Sequence, residues 1–188
     1  MTKNKIFNKT TAIKKVTALF YKKGYFATSM QDIVDATKLN RSSIYNSFGS
    51  KLELFVECFK LNDAKYKRDI QKIIISQENA IKSLHAVFEL SIKENNNGYL
   101  IPNYIPEMKN DEPIIKKMVI SQQEYMLQLF EDIIKKGQRS GNINNSKSER
   151  QYALFLLSSF QGLKVISFNM KNQNDLHNII YNALSILE

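Results

Sequence analysis

A single cysteine, Cys58, leaves the chain without an intramolecular disulfide and without a cysteine-based zinc site. It lies between Phe55 and Phe59, the setting of a buried structural thiol. Three prolines and six glycines in 188 residues are too few for the many turns of an all-β chain. No run of 18 apolar residues occurs, so no membrane-spanning helix is expected. The opening MTKNKIFNKTTAIKK is basic but lacks the apolar core and small-residue cleavage site of a secretory signal, and a cytoplasmic chain is expected. The two histidines, His85 and His177, are far apart and have no acidic partner motif. No glycine-rich phosphate loop and no metal-spaced cluster is present. Neither catalysis nor a metal or other cofactor is expected.

What is abundant is lysine, isoleucine, leucine and glutamine in long proline-free stretches, which read as an all-α chain. The net charge is +9 and unevenly placed. Residues 1–60 hold 11 Lys+Arg and 4 Asp+Glu, a balance of +7; the remaining residues hold 16 and 14. A basic head on a nearly neutral body is the electrostatic footprint of a nucleic-acid binder. The first helix, Lys5 to Lys23, carries its apolar stripe on Ile13, Val16, Leu19 and Phe20, and Gly24 ends it.

The densest signal lies in TSMQDIVDATKLNRSSIYNSFGSKLELF, Thr28 to Phe55. Ser29 and Asp32 have the spacing of a capping box, followed by the apolar positions Met30, Ile33 and Val34. Asn40 caps a second short helix, which turns Ile44 and Phe48 inward and shows Arg, Ser, Tyr and Asn outward. Ser50 and Glu53 form another box, with Lys51 in the first turn of a helix extending to about Ser76. A helix of about seven residues does not persist alone. One rich in donors and nearly free of acid suits a major groove, where base edges accept and phosphates flank. The competing reading is a solvated polar helix in a bundle. Arg41, Ser42, Ser43 and Asn46 are the candidates for base edges. Tyr45, Ser47 and Lys51 are the candidates for phosphates, with Ser29, Lys38 and Asn40 beside them in the motif.

Gly24-Tyr25, Thr28-Ser29, Asp32-Ile33, Ala36, Ile44-Tyr45, Phe48-Gly49-Ser50-Lys51 and Leu54-Phe55 together resemble the helix-turn-helix domain of TetR-family transcriptional regulators, over roughly Lys9 to Phe59. The resemblance implies a DNA-binding domain over 1–55 and a helical ligand-binding and dimerisation domain over 56–188. It implies a homodimer on a pseudo-palindromic, double-stranded operator, released by a small molecule, and it implies a phosphate contact at Thr28. Many members carry glycine where this chain has Lys38, so the turn is expected to be either strained or differently shaped.

In the second half, helices are expected at Glu78 to Asn95, from Asp111 or Glu112, with Pro113 beside it, to a stop at Gly141, at Lys147 to about Lys171, and at Asp175 to Leu187. Ser146 and Glu149 have capping-box spacing. The helix from Lys147 is apolar nearly all round, which demands burial on every side. Phe160, Gly162, Leu163 and Ile166, with Ile180 and Leu184 of the last helix, are therefore assigned to pairing with a second copy; the alternative is a central helix in a monomeric bundle. His85, Phe88, Tyr99, Asn103, Tyr104, Met118, Tyr125 and Phe155 are the candidates to line a cavity, competing with plain core packing. With no charge prominent among them, the expected effector is apolar or amphipathic.

Overall fold

The computed structural model describes residues 8–93, 112–167, 169–170 and 172–188. Among the described residues there are eight α-helices and no strand: α1 (Lys9–Lys23), α2 (Met30–Thr37), α3 (Arg41–Phe48), α4 (Lys51–Ser76), α5 (Ala80–Lys93), α6 (Pro113–Arg139), α7 (Glu149–Ser167) and α8 (Gln173–Leu184), closed by a 3-10 turn at Ser185–Leu187. The chain forms two compact units, with the boundary between Lys65 and Tyr66 inside the unbroken α4. Tyr99, Asn103 and Tyr104 lie outside the described residues.

The first unit, here the head, is built by α1, α2, α3 and the start of α4. Its core takes Ile13, Val16 and Phe20 from α1, Ile33 from α2, Ile44 and Phe48 from α3, and Leu54, Phe55 and Cys58 from α4. Phe55 meets Phe20 edge-on at 5.1 Å and Tyr25 at 4.9 Å, both arrangements that aromatic quadrupoles favour. Burial raises the Cys58 thiol to about 12, so it is an inert filler, and its Sγ lies 3.8 Å from the Ile13 carbonyl. The salt bridge from Lys9 to Glu57 at 2.9 Å fastens the beginning of α1 to α4.

The second unit, the body, packs α5, α6, α7 and α8 with the later part of α4. Phe88, Phe130 and Phe160, none of them accessible to solvent, form an aromatic triad with ring separations of 5.2–5.9 Å. Pro113 occupies the first turn of α6, where its missing N–H has no cost. Gly137 permits close packing later in α6: a Cβ there would lie 2.5 Å from Ile143 Cδ1 and 2.7 Å from Ala80 Cβ. Asn144 pins the chain's end, with its backbone N–H donating to the Leu187 carbonyl at 2.9 Å and its amide donating to Ile186 at 3.0 Å.

One local expectation changes. The cap of α7 is Ser148 rather than Ser146. Ser148 and Gln151 answer one another, the Ser148 N–H donating to the Gln151 amide oxygen at 3.0 Å and the Gln151 N–H donating to the Ser148 hydroxyl at 3.3 Å. Ser146 instead joins Tyr152 in a polar cluster in which both hydroxyls donate to the Asn144 amide oxygen. α7 is also not enclosed on all sides by its own chain: Leu154, Phe155, Val165 and Ile166 are 41–58% exposed.

Candidate nucleic-acid interface

Three caps set the geometry of the head. The Ser29 hydroxyl accepts from Asp32 N–H at 3.1 Å, and the Asp32 carboxylate accepts from Ser29 N–H at 2.8 Å, the full capping box. Asn40 Oδ1 accepts from Ser43 N–H at 2.7 Å and starts α3. At α4 the box repeats, with Glu53 accepting from Ser50 N–H at 2.7 Å. The Lys23 ammonium, 2.5 Å from Asp32, joins the Ser29 donors in holding the Asp32 carboxyl far below the usual carboxylate range. The Ser50 N–H holds Glu53 lower in the same way.

These caps present α3 with one face outward. Arg41, Ser42, Tyr45 and Asn46 are exposed, while Ile44 and Phe48 are buried and Ser43 and Ser47 are half-buried at the margins. Arg41 with Tyr45, and Ser42 with Asn46, are four residues apart and so share a helical face. That face carries the guanidinium and amide that read guanine and adenine edges, with a phenol and a hydroxyl beside them. Of the four base-edge candidates, Arg41, Ser42 and Asn46 stand together and Ser43 lies to one side. Ser29 and Asn40 are exposed but spend their side-chain oxygens on capping.

The turn before α3 is the strained one of the two shapes expected. Lys38 adopts φ 61° and ψ 25°, left-handed, and its N–H donates to the Val34 carbonyl at 2.8 Å. It is the sole non-glycine residue with positive φ among those described. Thr28 is fully buried, and its hydroxyl donates to the Gly24 carbonyl at 2.6 Å, so its side chain braces the entry to α2. Lys51 is half-buried, and its ammonium donates to the carbonyls of Tyr25 at 3.0 Å and Thr28 at 2.9 Å.

Residues 13–58 match the family model for bacterial regulatory proteins of the tetR family. The head therefore carries the domain that this family's model describes. It is 27% identical over 156 residues to the HTH-type transcriptional repressor DhaR of Mycobacterium sp. (strain GP1), covering 80% of this chain and 77% of that one. It is 23% identical over 167 residues to the repressor ComR of Escherichia coli (strain K12), covering 86% and 80%. A cysteine mutant of the TetR-family regulator CifR, solved with a 26-bp double-strand operator DNA, superposes at a TM-score of 0.86 and 18% identity over 100% of each chain. The family-model match and the curated repressors support a DNA-binding regulator, and the exposed face of α3 is its candidate reading surface.

In the body the candidates separate. Phe88 is core, inside the aromatic triad. Met118 and Tyr125 are half-buried, with the Lys67 ammonium 4.6 Å from the Tyr125 ring centroid. His85 lines an open groove of about 370 Å³ with Ile73, Ala86, Leu90 and others, a groove none of the other described candidates lines. Phe155 is 46% exposed on the outer side of α7. His177 Nε2 lies 3.1 Å from the carboxylate of Glu89, a residue that lines the same groove as His85.

The pairing assignment needs correction. Phe160, Leu163, Ile180 and Leu184 are all at most 5% exposed within the single chain, because they pack the body's own core. Ile166 remains outward, and a Cβ at Gly162 would meet nothing. The outer face of α7 carries Leu154, Phe155, Gly162, Val165 and Ile166, with the polar Gln151 and Ser158 exposed among them and Tyr181 exposed on α8. Lys164 is a further buried residue of α7 that local spacing does not single out. It is 2% exposed, its ammonium 3.3 Å from the Tyr66 hydroxyl and 4.6 Å from the Phe160 ring centroid. A lysine inside an apolar run was the available signal.

Proposed function

We propose that this regulator is a repressor that binds a pseudo-palindromic operator as a homodimer, with residues 1–55 contacting DNA and residues 56–188 pairing the copies and binding an effector. The observation that carries the reading is the outward face of α3, where Arg41, Ser42, Tyr45 and Asn46 stand together on the +7 head. Arg41 and Asn46 read bases, and Tyr45 and Ser47 meet phosphates. The names of DhaR and ComR support repression over activation. Pairing is supported by the apolar outer face of α7, a surface that gains by excluding water against its own copy. The effector is a small apolar or amphipathic molecule, which releases DNA by favouring a conformation whose heads no longer match the half-sites.

The alternative is a helical interaction module whose basic head meets phosphates without reading bases. Capture of fragmented genomic DNA at near-physiological salt, followed by sequencing, separates the two. A recovered pseudo-palindrome is expected, and unselective recovery would overturn the regulator reading. Ile166→Glu is expected to leave a folded monomer at micromolar concentration in sedimentation, with weakened operator binding. A variant that stayed dimeric would remove the outer face of α7 from the interface.

A further inference from the structure

A lysine in the first turn of a helix stands at the wrong end of the helix dipole, which favours anions there. Lys51 is such a residue, the first of α4. The structure shows what offsets the mismatch. Its ammonium lies 4.4 Å from the centroid of the Tyr25 ring and donates to two carbonyls, at 3.0 Å to Tyr25 and at 2.9 Å to Thr28. Both carbonyls belong to the short connection between α1 and α2, more than 20 residues away along the chain. Thr28 closes the same connection from within, its hydroxyl on the Gly24 carbonyl and its N–H on the Tyr25 carbonyl. The very next residue, Ser29, caps α2.

We propose that Lys51 is a positioning residue for DNA recognition. Its ammonium fixes the α1–α2 connection against the start of α4, and thereby fixes the N-terminus of α2 relative to α3. Two of its three N–H groups are aimed at backbone carbonyls, so its positive charge is spent inside the head rather than on a phosphate. The inference deepens the DNA-binding reading above and rests on it: it reassigns Lys51 from phosphate contact to holding the contacting elements in register.

The test is the salt dependence of binding by the full-length protein, once with the operator recovered by genomic capture and once with a scrambled duplex. Each phosphate contact contributes close to one unit to the slope of log K against log salt. Lys51→Met keeps the stem on the Tyr25 ring and removes both hydrogen bonds and the charge. Positioning predicts about a tenfold loss of operator affinity, the order expected for lost hydrogen bonds to a charged donor. It predicts an unchanged slope and unchanged affinity for the scrambled duplex. A slope lower by about one per head, with both duplexes weakened alike, would show a phosphate contact and overturn the proposal. Unchanged operator affinity with a lower melting temperature would also overturn it, leaving Lys51 a purely structural residue.

A second variant guards against misfolding. Lys51→Gln offers a neutral donor to one carbonyl, and positioning predicts that it binds operator more tightly than Lys51→Met. Equal weakness of the two neutral variants contradicts positioning. Failure to recover any preferred sequence would instead strike the regulator reading itself, and the scrambled-duplex slopes would still report whether Lys51 touches phosphate.

Discussion

α3 and α7 each bury one face in their own unit and leave the other outward, and the two outward faces are opposite in kind. α3 shows Arg41, Ser42, Tyr45 and Asn46. α7 shows Leu154, Phe155, Val165 and Ile166. The first is a set of donors with an aromatic hydroxyl among them, stable in water and suited to a partner rich in acceptors and negative charge. The second, apart from Gln151 and Ser158, is hydrocarbon that water does not solvate well, suited to another apolar surface. The inner faces do not differ in this way, since Ile44 and Phe48 in α3, and Leu156 and Phe160 in α7, are equally core. Inner faces explain why the helices form, and outer faces distinguish their tasks.

The sharpest way to test this contrast is within α7 itself. Phe160→Ala is expected to cost about 3–5 kcal/mol of stability, the range for emptying a fully buried aromatic site. Phe155→Ala, five residues earlier and 46% exposed, is expected to leave the stability of an isolated chain nearly unchanged and to weaken self-association. Denaturant unfolding with sedimentation on the same samples reads both effects. Equal destabilisation by the two variants would erase the distinction between the faces. On α3, Arg41→Ala is expected to cost about 1–3 kcal/mol of operator binding and to relax preference at one base position, with little change in melting temperature. Uniform weakening on all sequences would move Arg41 from bases to backbone.

The head was legible in the sequence because its signals are local. Ser29 with Asp32, Asn40, and Ser50 with Glu53 act across three residues, and each forms the cap that its spacing implies. The body failed where the pattern carried no phase. A run as apolar as Tyr152 to Leu157 does not say which side faces in, so the pattern does not reveal that Phe160 and Leu163 are core. Lys164 carried phase information, but a buried lysine is read as such only once Tyr66 and Phe160 are seen around it. Overlapping frames misled as well: Ser146 to Glu149 and Ser148 to Gln151 share one spacing, and the structure uses the second. The partners of Lys51 lie 23 and 26 residues away, beyond any local rule.

A smaller effect is expected at Lys38, whose left-handed backbone glycine would adopt without a Cβ clash. Relief of that clash outweighs the extra chain entropy that glycine brings to the unfolded state. Lys38→Gly is expected to stabilise the head by about 0.5–1 kcal/mol in denaturant unfolding. A loss of stability would mean that the Lys38 side chain supplies more than the strain removes.

The smallest effect separates head from body by acid alone. The two capping boxes of the head close on carboxylates, Asp32 and Glu53, both held below their unfolded values of 3.8 and 4.5. The box of α7 closes on the neutral amide of Gln151, which does not titrate. A carboxyl whose folded pKa is depressed contributes stability above its unfolded value and loses it as pH falls toward the folded one. Lowering pH from about 5 toward 3 should therefore loosen the starts of α2 and α4 before that of α7. Amide exchange at Asp32 and Glu53, whose N–H groups donate to the cap hydroxyls, should accelerate relative to Gln151 after correction for the intrinsic acid dependence. Asp32→Asn and Glu53→Gln should flatten that difference. If the three caps kept equal protection down to pH 3, the charge on the boxes would be incidental to what holds the head together.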